Sequence, residues 1–290
     1  MNHIETAPPN PLPAPPKPRL HIPERHEETI LSHLARNFQN LPGPLMLAID
    51  GPPGVGKTFA VETTLNRAKV MRVILTGADL ESGEAGRPAD LVRRWYLKAA
   101  ATIAAGKPAA VVLDDFDAAV GRWDANTTYT VNTQLIYTEL MHLADSPTLV
   151  EDRKVRRVPI ILTCNNIGRL YAPLCRPGRM QIHPWTMTPG ERIEIVQGIF
   201  YGLDPDAIID LLTAFPKHPV AFFADLRRRA EEDGVRAAVR RYAPAEAVRQ
   251  ALQGKLEAAP RALLTKPQLI ALGRRMEAEM IKRNHLEIQK

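Results

Sequence analysis

The segment Gly51-Pro52-Pro53-Gly54-Val55-Gly56-Lys57-Thr58 carries the most specific chemistry in the chain. It matches G-x-x-x-x-G-K-[ST], the pattern of a loop that cradles phosphates. Such a loop must replace the hydration of several adjacent negative charges. Glycines let successive backbone N–H groups converge on one anion. The start of a following helix adds the positive end of its dipole. Lys57 would then reach the terminal phosphates, and the Thr58 hydroxyl would ligate Mg²⁺. A Gly-Pro turn followed by a chance Lys-Thr is the plain alternative. The flanks speak against it, because an apolar strand pattern precedes the loop and a helical pattern follows.

A second element is Val111-Val112-Leu113-Asp114-Asp115-Phe116-Asp117. A buried strand that ends in carboxylates delivers them to the edge of a parallel sheet, where ligands bind. Asp114 would share the metal with Thr58, and Asp115 would orient or deprotonate the attacking water. Asp115 is one methylene shorter than a Glu, so the water must sit closer. A helix cap with solvated neighbours is the other reading of this acidic cluster, and Asp117 fits that reading by itself. The strand 160–163 runs into Cys164-Asn165-Asn166. Asn165 could hydrogen-bond the γ-phosphate or the water, and an Asn turn after a strand explains the same pattern. Arg176 and Arg179 flank a Pro-Gly turn, and Arg227 and Arg229 lie in a helical pattern. Arginines of either pair could offset charge during phosphoryl transfer or sense a bound nucleotide. A basic surface explains both pairs equally on pattern alone.

These residues need a scaffold. Short apolar or β-branched runs bounded by breakers predict strands at 45–49, 70–75, 109–113, 158–162 and 180–183. Helical patterns predict helices at 26–38, 58–68, 88–105 and 130–144. Strands alternating with helices argue for a parallel sheet covered on both faces. After Pro189 the strand signals stop, and helices are expected at 191–201, 205–214, 220–240, 244–259 and 268–287. The expected organisation is a proline-rich tail at 1–25, an α/β domain at 26–188 and a smaller helical lid at 189–290. Eight prolines between positions 8 and 23 deprive the tail of amide donors, so it reads as an extended or disordered tether.

Composition excludes several classes. The chain has 290 residues, 45% apolar and 24% charged, which supports a sizeable core and argues against disorder or a fibre. Cys164 and Cys175 are its two cysteines, too few for a disulfide scaffold and without the C-x-x-C spacing of a metal or redox site. No apolar run approaches the roughly 18 residues of a membrane span. The expectation is a cytoplasmic protein. The net charge of +6 permits a nucleic-acid partner, but the arginines are scattered and no aromatic-interleaved basic stripe is present.

The order of these elements resembles an AAA+ ATPase. Leu80-Glu81-Ser82-Gly83-Glu84-Ala85-Gly86-Arg87-Pro88-Ala89, Thr127-Thr128-Tyr129-Thr130-Val131-Asn132 and Arg157-Val158-Pro159-Ile160-Ile161 are similar to Rubisco activases of the plant and cyanobacterial type. So is Leu170-Tyr171-Ala172-Pro173-Leu174-Cys175-Arg176-Pro177-Gly178-Arg179-Met180. The resemblance runs from about residue 27 to the final helix. It implies ATP/ADP and Mg²⁺ as cofactors, a hexameric ring with nucleotide at subunit boundaries, and Rubisco as the protein client, remodelled so that inhibitory sugar phosphate leaves. It makes Asn165 the sensor-1 residue, Arg176 and Arg179 finger arginines supplied in trans, and Arg227 and Arg229 the sensor-2 pair. It places central pore loops at 81–87 and 121–130, the first without the aromatic that protein-threading relatives use. In the family the Asp114 position is often Asn.

Two departures bear on the client. The activases carry an N-terminal domain that helps engage Rubisco, where this sequence has the proline-rich stretch, and some cyanobacterial members append a small-subunit-like domain that is not expected here. The expectation is an engine with reduced gripping parts. A helicase-loader-like ATPase acting on another complex and a nucleotide-gated scaffold with negligible turnover remain alternatives.

Overall fold

The computed structural model describes residues 21–75, 87–121, 130–256 and 265–288. Two compact units emerge. The first comprises Ile22–Glu191 together with Pro219–Phe222. Its sheet contains β1 (Met46–Asp50), β2 (Met71–Leu75), β3 (Ala109–Leu113), β6 (Ile160–Cys164) and β7 (Met180–Pro184), in the order β2-β3-β6-β1-β7. Every pairing is parallel. The central strands β3 and β6 are buried at every position, as continuous apolar runs covered on both faces must be. Alternate side chains serve opposite faces. Leu47, Ile49, Val112 and Ile161 pack with α1 (Glu24–Phe38) and α2 (Lys57–Arg67). Ala48, Val111, Leu113 and Leu162 pack with α3 (Arg87–Ala104) and α5 (Val131–Asp145).

The strand order positions the site. After β1 the chain crosses to the edge strand β2, and β3 and then β6 fill the gap on its return. The carboxyl ends of β3, β6 and β1 therefore lie side by side, at a topological switch point of the sheet. Three loops from distant parts of the sequence meet there.

Several local features depart from the expected pattern. Helix α1 begins at Glu24, with Pro23 at its cap, two residues before the expected start. Pro23 has no N–H to leave unpaired, so the helix can begin directly after it. Strand β6 runs two residues beyond the expected 158–162, to Cys164. Short elements escaped the periodicity altogether: α4 (Phe116–Val120), a 3₁₀ turn at Ile167–Arg169, and a hairpin of β4 (Leu149–Val150) and β5 (Arg153–Lys154) turned by Glu151 and Asp152 at φ of 51° and 60°.

The second unit takes in Arg192–His218 and the described residues from Phe223 onward, and it is helical. It holds most of α6 (Pro189–Ile199) and α8 (Val220–Val239), and all of α7 (Pro205–Ala214), α9 (Pro244–Leu252) and α10 (Lys266–Ile288). Asp204 caps α7, its carboxylate accepting the Asp206 N–H at 2.8 Å, with Pro205 in the first turn. The Arg192 guanidinium donates to the carbonyls of Pro216 and His218, both at 2.7 Å, and so satisfies acceptors beyond the end of α7. A side chain at Gly273 on α10 would collide with the Phe215 ring, so the close approach there requires glycine. Helix α9 stops at Leu252 rather than 259. Gly254 takes φ of 67° and the Lys255 N–H returns to the Gln250 carbonyl at 2.8 Å, a glycine-terminated helix end. No helix among the described residues is long and apolar enough to cross a membrane.

Candidate functional site

The loop after β1 is built to expose backbone amides. Gly54 and Gly56 adopt φ of 75° and 95°, and Gly56 caps α2 in a left-handed conformation that any side chain would strain. Gly51 is required for space: a Cβ there would sit 2.9 Å from the Trp185 carbonyl oxygen. The Trp185 indole N–H in turn donates to the Val55 carbonyl at 3.0 Å, and the Ala221 N–H donates to the Gly54 carbonyl at 2.9 Å. Pro52 and Pro53 stiffen the intervening turn.

Lys57 is 5% exposed. Its ammonium donates to the Gly51 carbonyl at 2.6 Å, the Pro52 carbonyl at 2.9 Å and Asn165 Oδ1 at 2.9 Å. Burial lowers its pKa, and the nearby carboxylates of Asp115, Asp117 and Asp50 work against that shift. This geometry holds a cation on the floor of an amide-lined loop, where an incoming anion would replace neutral carbonyls as its partner.

The carboxylates at the end of β3 lie beside it. Thr58 Oγ1 donates to Asp114 Oδ1 at 2.8 Å. Thr163, fully buried on β6, donates its hydroxyl to the same oxygen at 2.7 Å and accepts the Asp115 N–H at 2.9 Å. Asp115 takes a left-handed conformation with φ of 46°, uncommon for a residue other than glycine. Asn165 Nδ2 donates to Asp115 Oδ1 at 3.4 Å. The Thr58 hydroxyl and Asp114 carboxylate are hard oxygen donors of the kind Mg²⁺ prefers. Among the described residues no group of three or more His, Cys, Asp or Glu could hold a metal unaided. A divalent ion at Thr58 and Asp114 would therefore complete its shell with water and phosphate oxygens, as Mg²⁺ commonly does.

The structure thus brings Lys57, Thr58, Asp114, Asp115 and Asn165 into one hydrogen-bonded cluster with the residue 51–58 loop. Arg176 and Arg179 lie elsewhere in the unit. They precede β7, and the Met46 N–H donates to the Arg179 carbonyl, so they stand at the amino ends of β1 and β7. A five-residue strand spans about 16 Å at roughly 3.3 Å per residue, and that length separates them from the cluster at the carboxyl ends. The two also differ from each other. Arg179 makes a two-pronged pair with Asp145, at 2.7 and 2.6 Å, and donates to the Pro173 carbonyl at 3.0 Å. Arg176 is exposed, and its side chain has no partner among the described residues. Arg227 and Arg229 belong to the helical unit. Arg227 donates to Glu231 at 2.6 Å and covers the Tyr201 ring, while Arg229 bridges Asp225 at 3.0 Å and Glu279 at 2.7 Å. The expected pore loop 81–87, except Arg87, lies outside the described residues, as does most of 121–130.

Sequence reasoning did not single out Thr163 or Asp50. Their chemistry depends on which strands are neighbours, and no local spacing encodes that. Asp50 Oδ1 accepts the Ile167 N–H at 2.8 Å. Asp117 is not a solvated cap residue: it is buried, and its carboxylate bonds backbone amides of the turn after β6.

Residues 47–186 match the model of the AAA family, the ATPase family associated with various cellular activities. The chain is 40% identical over 228 residues to the ribulose bisphosphate carboxylase/oxygenase activase of Nostoc sp., covering 74% of this chain and 55% of that protein. It is 38% identical over 230 residues to the chloroplastic activase of Zea mays (75% and 53%), and 39% identical over 220 residues to that of Vigna radiata (72% and 50%). The chain spans about half the length of these curated relatives. With its glycine-rich loop, paired strand-end carboxylates and parallel sheet, the chain carries an AAA domain over residues 47–186 and is similar to Rubisco activases over about three quarters of its length.

Proposed function

We propose that this chain hydrolyses ATP and uses the free energy to remodel a protein client, Rubisco or a related complex, so that tightly bound inhibitory sugar phosphate is released. The observation that carries the nucleotide chemistry is the convergence of Lys57, Thr58, Asp114, Asp115 and Asn165 at the adjoining ends of β1, β3 and β6. The client is supported by the activases that the chain resembles.

The chain's own residues divide the work. Amides of the 51–58 loop bind the phosphates, and Lys57 exchanges its carbonyl partners for phosphate oxygens. Thr58 and Asp114 would hold Mg²⁺, which when bound neutralises charge on the phosphates. Asp115 orients the attacking water or takes its proton, and Asn165 fixes Asp115 relative to Lys57 through its two amide atoms. Free energy of binding and hydrolysis would reach the helical unit through Arg227 and Arg229 as nucleotide-sensing groups.

An arginine finger in this chain must act on a second copy. Arg176 and Arg179 stand a strand length from their own cluster, so completing a site needs a neighbour. This supports a ring, hexameric as in the resemblance. Arg176, exposed and unengaged, suits the finger; Arg179, held by Asp145, suits the support of its turn.

The test is ATP turnover by the purified protein with and without inhibited Rubisco, scored by phosphate release and by recovered carboxylation. The proposal expects carboxylation to return only with hydrolysable ATP. Steady turnover with no recovery would redirect the search to another client. Absence of turnover at any protein concentration would leave only a nucleotide-gated scaffold.

A further inference from the structure

Asp117 is 1% exposed, yet no cationic side chain among the described residues bonds its carboxylate. Burying a carboxylate is costly unless its lone pairs are satisfied. Here both oxygens are used by backbone: Oδ1 accepts the Asn165 N–H at 2.8 Å and Oδ2 accepts the Asn166 N–H at 3.0 Å. The next amide, Ile167 N–H, goes to Asp50 Oδ1 at 2.8 Å, and Gly168 N–H goes to Asn166 Oδ1 at 2.9 Å. Successive amides of the turn after β6 are thus pinned, the first three by carboxylates from the end of β1 and the first turn of α4.

The pinned turn is the one that carries Asn165. Its side chain reaches Lys57 at 2.9 Å on one atom and Asp115 at 3.4 Å on the other. A shift of the Asn165 backbone by an ångström would break one reach or the other. Misplacement of that size costs about 100-fold in rate in well-ordered sites. From this arrangement we infer that Asp117 is a positioning residue for hydrolysis, acting through the backbone of Asn165 and touching neither nucleotide nor water. The inference rests on the proposed role of Asn165 in turnover.

The experiment is a double-mutant cycle on Asp117→Asn and Asn165→Ala in the full chain, with kcat, KM for ATP, nucleotide affinity and melting temperature measured for each variant. Asn in place of Asp117 keeps its size but turns an N–H₂ toward an amide N–H, so one of the two bonds is lost. Asp117→Asn is expected to lower kcat roughly 10- to 100-fold, with nucleotide affinity changed far less. In the Asn165→Ala background the same change should cost almost nothing further, because the group it positions is gone. A purely structural carboxylate would give losses that multiply across the two backgrounds, and that result overturns the inference, as does an unchanged kcat in Asp117→Asn. Should Asp117→Asn fail to fold, Asp50→Ala removes the neighbouring anchor at Ile167, and the same cycle with Asn165→Ala decides the matter. If Asn165→Ala itself retains full turnover, the reading of the site fails rather than this step alone.

Discussion

The Lys57 ammonium and the Asn165 side-chain oxygen lie 2.9 Å apart, although 108 positions of sequence separate them. One belongs to the first turn of α2 and the other to the turn beyond β6. Strands β1 and β6 pair in parallel, with Asp50 opposite Cys164, and this register puts the two residues within reach. A charge at the start of α2 is thereby coupled to a hydrogen-bonding group beyond the neighbouring strand β6. The same Asn165 amide faces Asp115, the group expected to handle water.

Lys57→Ala should abolish nucleotide binding, since the cation that answers the terminal phosphates is lost. Asp115→Asn should bind nucleotide with near-normal affinity and lose most turnover. Equilibrium binding of a fluorescent ATP analogue, paired with phosphate release, separates the two effects. Unchanged turnover in both variants would contradict the site assignment.

Thr163→Val removes the hydroxyl that donates to Asp114 and accepts the Asp115 N–H. The orphaned amide should cost about 1–3 kcal/mol in stability. The carboxylates would lose their common anchor, so kcat should fall further than affinity. Thermal melting and steady-state kinetics on one preparation read both consequences. Thr163→Ser, which keeps the hydroxyl, should recover most of the rate.

Arg176→Ala and Arg179→Ala should differ in kind. The first removes a side chain with no partner among the described residues, so the melting temperature should hold while turnover collapses in assembled protein. The second breaks the Asp145 pair and the bond to the Pro173 carbonyl, so the turn before β7 should loosen and melting should occur at lower temperature. Mixing Arg176→Ala with Lys57→Ala protein tests action in trans, because mixed assemblies would hold some complete sites. Turnover that stays at the sum of the two variants alone would argue against a shared site.

Acid should destabilise the α/β unit in a defined window. His33 is buried beside Arg157 and Arg36, and burial pushes its pKa down to about 4. His26 and His183 are lowered as well, again chiefly by burial, with Arg25 adding to it and Glu191 opposing it at His26. The unfolded chain binds these protons near pH 6.5 while the folded unit stays neutral. For His33, stability is therefore complete above about 6.5 and is lost as pH falls from there toward 4, at up to about 1.4 kcal/mol per pH unit; His26 and His183 act in the same direction. His26 stacks on Trp185 at 4.0 Å, and Trp185 holds Val55 of the 51–58 loop, so part of this loss falls on the candidate site. Melting curves of the wild type and His33→Gln between pH 4 and 7.5 measure it, with a flatter profile expected for the variant.

The parts of the fold and site that could be read in advance are those whose mechanism is contiguous. The 51–58 loop needs its glycines, lysine and threonine in fixed order, and the apolar strands β3 and β6 announce their burial by composition. Asp114, Asp115 and Asn165 could be singled out because each ends a recognisable strand. Thr163, Asp50 and the true environment of Asp117 could not, because their partners arrive only when β6 inserts between β1 and β3. The β4–β5 hairpin was invisible for a different reason: two-residue strands carry no period, and its turn uses Glu151 and Asp152 rather than glycine. Helix α9 ends short of the expected 259 because Gly254 stops it, and a glycine inside a helical pattern does not by itself announce a stop.

The central claim is that the loop between β1 and α2 binds a magnesium-complexed triphosphate through Lys57. Isothermal titration of the folded protein with magnesium ATP, run beside Lys57→Ala, tests it most directly. Saturable heat and a raised melting temperature in the wild type, both absent from the variant, are the predicted result. No heat and no thermal protection in folded wild type, or equal binding by Lys57→Ala, would contradict it.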